Sequence, residues 1–215
     1  MSKITRIILF DAANTLIYKP TLYYKIRSVL AKYSYEIEET KLQYHHKLLS
    51  EIINFPDRTS KEFYKDFNSE LLLSLGIIPS EEILNEIFTA CSYLEWKAFD
   101  DLSILNELPI EKAVLSNFNS SLSNILDQLI GKNIFSEIII SENENYRKPS
   151  LEFYKLALKK LNVEPEEVLY IGDSLKLDVI PAKKLGIKTL LIDRQNIFSS
   201  FTDRISNMKD IINYL

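Results

Sequence analysis

The sequence predicts an α/β protein: a doubly wound, Rossmann-like parallel sheet with an all-helical cap inserted after the first strand. Three observations carry this. From about residue 97 onward, short apolar runs rich in β-branched residues alternate with helical patterns. One further run, residues 5–10, stands alone near the start. Between them lies a long stretch with helical spacing and no strand signal.

The elements follow in order. Residues 5–10, which hold the apolar run Ile7-Ile8-Leu9-Phe10, read as a parallel strand buried on both faces. From Thr21 to Trp96, apolar residues recur at helical spacing: Leu22, Ile26, Val29 and Leu30, then Leu42, Leu48, Leu49, Ile52 and Ile53. Pro56 with the stretch to Ser60, and Gly76 with Pro79, break this block into four expected helices. The core is therefore expected at 1–16 plus 97–215, and the cap at 17–96. After Trp96 the expected order is a strand at Ala113–Leu115, a helix from Ser121 to Ile130 ended by Gly131, and a strand at Ile138–Ile140. A helix from Pro149 to Leu161 follows, with proline at its start. Then come a strand at Val168–Ile171, a helix from Lys176 to Leu185 despite Pro181, and a strand at Thr189–Ile192. Strands alternating with helices imply right-handed parallel crossovers.

Composition narrows the class. A chain of 215 residues suffices for one α/β core and a modest insertion. With 46% hydrophobic and 26% charged residues, it falls outside the disordered class. A net charge of -4 gives no basic footprint for nucleic acid. The start of the chain lacks a signal-peptide pattern, and no apolar stretch would span a bilayer. A cytoplasmic protein without a membrane partner is expected, as monomer or dimer. Cys91 reads as a small apolar helix residue, and the adjacent His45 and His46 as solvent-facing or packing residues.

In a doubly wound sheet, ligands bind beyond the carboxyl ends of the strands. Asp11, Ser116 and Asp173 each follow an expected strand within two residues, so neighbouring strands would bring them to one edge. Asp11 is the candidate nucleophile, since a carboxylate attacks phosphorus or activated carbon; the plain alternative is a turn aspartate. Thr15 is either a donor to a bound anion or a turn cap. Ser116 and Asn117 offer hydroxyl, amide and backbone donors ahead of a helix, the chemistry of an anion cradle or of an ordinary N-cap cluster. Lys148 precedes a helix and would neutralise charge there, or lie solvated beside Arg147. Asp173, after Gly172, suits Mg²⁺, which takes one or two carboxylates. Asp178 would brace the site.

This ordered set, Asp11-Ala12-Ala13-Asn14-Thr15, Ser116-Asn117, Lys148-Pro149 and Gly172-Asp173-Ser174 with Asp178, resembles the haloacid dehalogenase superfamily. Ser116-Asn117-Phe118-Asn119 and the Asp11 turn are most similar to the group around the rhythmically expressed gene 2 product. The resemblance implies phosphoryl transfer through Asp11 on a small phosphorylated substrate. It implies Lys148 as catalytic partner, Thr15, Ser116 and Asn117 as phosphate contacts, and Mg²⁺ at Asp11, the Ala13 carbonyl and Asp173. The phosphatases of the superfamily carry an acidic general acid where this chain has Ala13, which implies weakened turnover. Two alternatives are kept: a metal-independent 2-haloacid dehalogenase, whose halide leaves without a proton, and a non-catalytic interaction protein.

Overall fold

The computed structural model describes residues 4–215, in two compact units. One holds the chain up to Tyr18 together with Lys97–Leu215, and the other is Lys19–Trp96.

In chain order, the strand β1 (Ile7–Phe10) and the short β2 (Ile17–Tyr18) precede the helical unit. That unit contains α1 (Leu22–Lys32), α2 (Glu39–Ile52), α3 (Lys61–Ser74) and α4 (Glu81–Cys91). The chain returns through β3 (Lys97–Ala98), β4 (Glu111–Ser116), α5 (Leu122–Leu129) and β5 (Glu137–Ile140). It continues with α6 (Ser141–Glu144), α7 (Leu151–Leu161), β6 (Val168–Gly172) and α8 (Ile180–Lys184). It ends with β7 (Lys188–Ile192), β8 (Arg204–Ile205) and a 3-10 segment, Met208–Tyr214.

Among the described residues, six strands form one parallel sheet in the order β5-β4-β1-β6-β7-β8. β1 lies between β4 and β6, so the chain winds outward from it in both directions. All four β1 residues are fully buried, as expected for a parallel strand covered on both faces. One core cluster joins Ile7 and Leu9 of β1, Ala113 and Leu115 of β4, and Val168 and Tyr170 of β6 to Phe153, Tyr154 and Ala157 of α7. These alternate residues share one sheet face, which α7 covers together with Ala182 of α8.

The helical unit has its own core, from Ile26, Val29 and Leu30 of α1, Leu42 of α2, Phe67, Leu71 and Leu72 of α3, and Ile83, Leu84 and Ile87 of α4. Ser60 and Ser80 cap α3 and α4, their hydroxyls accepting from the Phe63 and Ile83 N–H groups. Ile52, read from spacing as apolar-face, is 71% exposed because it ends α2. His46 packs edge-on against Tyr23 and Phe67, while His45 Nδ1 lies 3.1 Å from the Ser74 hydroxyl. No helix among the described residues is long and apolar enough to cross a membrane.

Three details correct the sequence reading. Ile17 and Tyr18, assigned to the cap, instead pair antiparallel with Ala98 and Lys97 and belong to the sheet unit. Pro149 does not open a helix: Ser150 is the N-cap, its hydroxyl accepts from Glu152 N–H, and α7 starts at Leu151. The expected helix at Lys176–Leu185 divides into a π-turn, Leu175–Val179, and α8, with Pro181 in the first turn where its missing N–H is harmless.

Candidate active site

β4, β1 and β6 are adjacent, and their carboxyl ends carry Ser116, Asp11 and Asp173. The Asp11 loop is tight. The Ala12 carbonyl accepts from the N–H groups of Thr15, Leu16 and Ile17, and Ala13 bridges to Ile17. Asn14 takes φ 60°, a left-handed conformation that asparagine tolerates better than most residues. This winding returns Thr15 to its own strand end, its hydroxyl 3.4 Å from Asp11 Oδ2. The Ser116 hydroxyl donates to Asp11 Oδ1 at 3.1 Å.

Lys148 enters from the loop before α7. Its Nζ lies 2.6 Å from Asp11 Oδ1, 2.6 Å from Asp178 Oδ1 and 3.3 Å from the Tyr170 hydroxyl. Asp178 is held in turn by the Tyr170 hydroxyl at 2.9 Å and the Ser174 N–H at 3.0 Å. It approaches so closely that a Cβ at Gly172 would fall 2.3 Å from its Cγ. Oxygens of Asp11, Asp173 and Asp178 lie within 4.8 Å of one another.

Asp11, Thr15, Ser116, Lys148 and Asp178 are all buried. Burial pushes the Asp11 carboxyl up to about 6; Lys148 pulls it back, while Asp178 and Asp173 oppose that pull. Burial alone would lower the Lys148 ammonium, but Asp11 and Asp178 on either side hold it above its ordinary value. Burial, then Asp178, keeps the Tyr170 phenol well above the usual tyrosine range. Three carboxylates therefore share a pocket with one fixed cation. The donors are hard oxygens, which suits Mg²⁺. Asp178 already accepts bonds on both oxygens, so Asp11 and Asp173 are the carboxylates suited to direct ligation.

Asn117 departs from its expected role. Its amide donates to the Lys148 carbonyl at 2.9 Å and accepts from the Lys148 N–H at 2.7 Å. The side chain positions Lys148 rather than facing an anion. Sequence reasoning missed Tyr170, a strand-interior residue with no local signal. It also missed Ser141, whose hydroxyl accepts from the Phe118 N–H and steadies the loop after β4. Ser141 directly follows β5, so the strand-end rule applied to that strand would have found it.

The sheet order and these strand-end carboxylates define a class, confirmed by comparison: a family model for haloacid dehalogenase-like hydrolases matches residues 8–192, and the chain belongs to that family. Among its relatives, a glyceraldehyde 3-phosphate phosphatase of Methanocaldococcus jannaschii is 43% identical over 58 residues, covering 27% of this chain and 25% of that protein. Haloacid dehalogenase-like hydrolase domain-containing protein 3 of Danio rerio is 27% identical over 121 residues, 54% of this chain and 50% of that one. The matches thus span about a quarter to a half of these relatives' lengths. Among solved structures, the magnesium-bound hydrolase YfnB of Bacillus subtilis superposes with a TM-score of 0.68 at 19% identity, over 99% of both chains.

Proposed function

We propose that this chain is a Mg²⁺-dependent phosphatase acting on a small phosphorylated metabolite through an aspartyl-phosphate on Asp11. The observation that carries the reading is Lys148, whose ammonium sits 2.6 Å from both Asp11 and Asp178, beside the third carboxylate of Asp173. The phosphatase names among the relatives support it. An Asp11 oxygen attacks phosphorus, and the leaving group departs from the opposite side. Lys148 offsets negative charge at the nucleophile, and the Ser116 and Thr15 hydroxyls turn from Asp11 to the transferring oxygens. Asn117 and Asp178 fix the Lys148 backbone and head group. Asp11, Asp173 and the Ala13 carbonyl would hold Mg²⁺, which when bound neutralises phosphoryl oxygens. Ala13 has no proton to give, so turnover is weakened.

The test is hydrolysis of 4-nitrophenyl phosphate by purified protein, with Mg²⁺ and with a chelator. Metal-dependent release that disappears in Asp11→Asn supports the proposal. Ala13 is the observation that favours the second reading, a metal-independent 2-haloacid dehalogenase. Chloride release from 2-chloropropionate in chelator, without phosphatase activity, would establish it. Silence in both assays would leave a non-catalytic metal-binding module.

A further inference from the structure

A phosphoryl group leaves its carrier only if the departing oxygen can bear the electron pair or receives a proton. The groups around Asp11 decide which. Among the described residues, three side chains hydrogen-bond to its carboxylate: Thr15, Ser116 and Lys148. Two are aliphatic hydroxyls, which are not acids at neutral pH. The third is an ammonium with three N–H bonds, and its head group has three fixed partners: Asp11, Asp178 and the Tyr170 hydroxyl. These three partners take up its three N–H bonds, so none is left to aim at a leaving oxygen. The Tyr170 hydroxyl is committed in the same way, 2.9 Å from Asp178 and 3.4 Å from the Leu115 carbonyl. Asp173 is the metal-facing carboxylate in the proposal above. On the loop itself, Ala13 presents a methyl group. Among the described residues, the groups bonded around Asp11 thus comprise a nucleophile, a cation and hydroxyl donors, with no carboxylic acid on the loop at Ala13 to protonate a leaving oxygen.

From this allotment of protons we infer that the chain takes phosphoryl groups from carriers that depart as stable anions. These are acyl phosphates and phosphates of acidic phenols or enols, rather than phosphate esters of ordinary alcohols. The inference rests on the phosphoryl-transfer reading and gives that site a substrate class. In the first step an Asp11 oxygen bonds to phosphorus and the bond from phosphorus to the carrier oxygen breaks. The electron pair leaves on the carrier. A carboxylate, whose acid has a pKa of about 4, accepts it without a proton. An alkoxide, close in basicity to hydroxide, does not. In the second step water bonds to phosphorus, the bond to Asp11 breaks, and its pair returns to Asp11 as a carboxylate. The water proton passes to solvent. That leaving group is itself a carboxylate, so this half also needs no acid.

The experiment measures first-turnover rates with enzyme in excess, in Mg²⁺, for acetyl phosphate, a series of substituted phenyl phosphates and glycerol 3-phosphate. Asp11→Asn serves as the control. We expect Asp11-dependent release from acetyl phosphate, rates falling steeply as the phenol becomes more basic, and glycerol 3-phosphate slower than acetyl phosphate by at least about 10²-fold, the lower end of what a general acid supplies. Asp11-dependent release with rates within threefold across the set would overturn the inference and leave the phosphatase reading standing. No Asp11-dependent release from any member would overturn both.

Discussion

Replacing Gly172 by alanine tests whether the Lys148–Asp178 pair is as tightly built as its distances indicate. The added Cβ would sit 2.3 Å from Asp178 Cγ and Oδ2 and 2.6 Å from its Cβ. Non-bonded carbons rest about 3.5–4.0 Å apart, so a retreat of roughly 1 Å is forced. Asp178 cannot retreat freely, because Lys148, Tyr170 and the Ser174 N–H hold it at 2.6, 2.9 and 3.0 Å. A shift of roughly 1 Å takes the Lys148–Asp178 contact out of hydrogen-bond range and leaves the buried ammonium with Asp11 and the Tyr170 hydroxyl only. Breaking a buried pair costs about 3–5 kcal/mol, which in a chain of this size lowers the melting temperature by roughly 10 °C. On the phosphatase reading, misplacing the Lys148 cation by about 1 Å should slow the first turnover by roughly 10²-fold. Thermal unfolding followed by circular dichroism and first-turnover kinetics on 4-nitrophenyl phosphate measure both effects. A variant that melts within about 2 °C of wild type and reacts within threefold of its rate would show that this clash relaxes elsewhere, and the argument from Asp178 would fall.

Three further outcomes are expected. Ala13→Asp should accelerate hydrolysis of an alkyl phosphate by up to about 10²-fold, measured as phosphate release in Mg²⁺; an unchanged rate would mean that another group already supplies the proton. Arg194 clasps Asp101 through two bonds of 2.6 and 3.1 Å, donates to the Thr15 carbonyl at 3.2 Å and stacks 3.7 Å over Phe99; Arg194→Lys loses the fork and should cost about 2 kcal/mol by urea unfolding, with an unshifted midpoint counting against the clasp. Burial, then Lys47, pushes His46 down to about 4 from the ordinary 6.5, so the unfolded state binds more protons between those values and stability is lost as pH falls through that window; wild type minus His46→Leu, measured as urea midpoints from pH 7 to pH 4, should reveal that slope, and parallel curves would refute it.

The parts of the fold legible in the sequence were those set by local pattern. The strands read at residues 5–10 and Val168–Ile171 are each followed within two residues by an aspartate, and the structure starts the first of them at Ile7. Apolar spacing identified the helical unit, and Pro56 with the stretch to Ser60, and Gly76 with Pro79, marked two of its breaks. What stayed hidden depends on partners distant in the chain. The ribbon between Ile17–Tyr18 and Lys97–Ala98, and the two-residue strand Arg204–Ile205, have too little sequence to carry a period. Asn117 looked like an anion ligand because nothing local shows that both ends of its amide are taken by Lys148. Tyr170 gave no signal because its hydroxyl's partners, Lys148 and Asp178, come from a loop and a turn on either side of β6 in the chain.

The ribbon has a consequence for how such a chain can change. Tyr18 lies directly opposite Lys97, so the inserted unit leaves and re-enters the sheet unit at facing residues. Strand ends in that relation are ordinarily joined by a turn of two residues. In topological terms, all of Lys19–Trp96 is therefore an enlarged hairpin loop. Deleting it in favour of an Asn-Gly turn, or exchanging it for another folded module with adjacent ends, alters no strand connection and no register in the six-stranded sheet. The reactive edge at Asp11, Ser116, Lys148 and Asp178 can thus be inherited intact while the module at the tip of the ribbon is traded, which makes this junction a natural point for recombination and for engineered grafts.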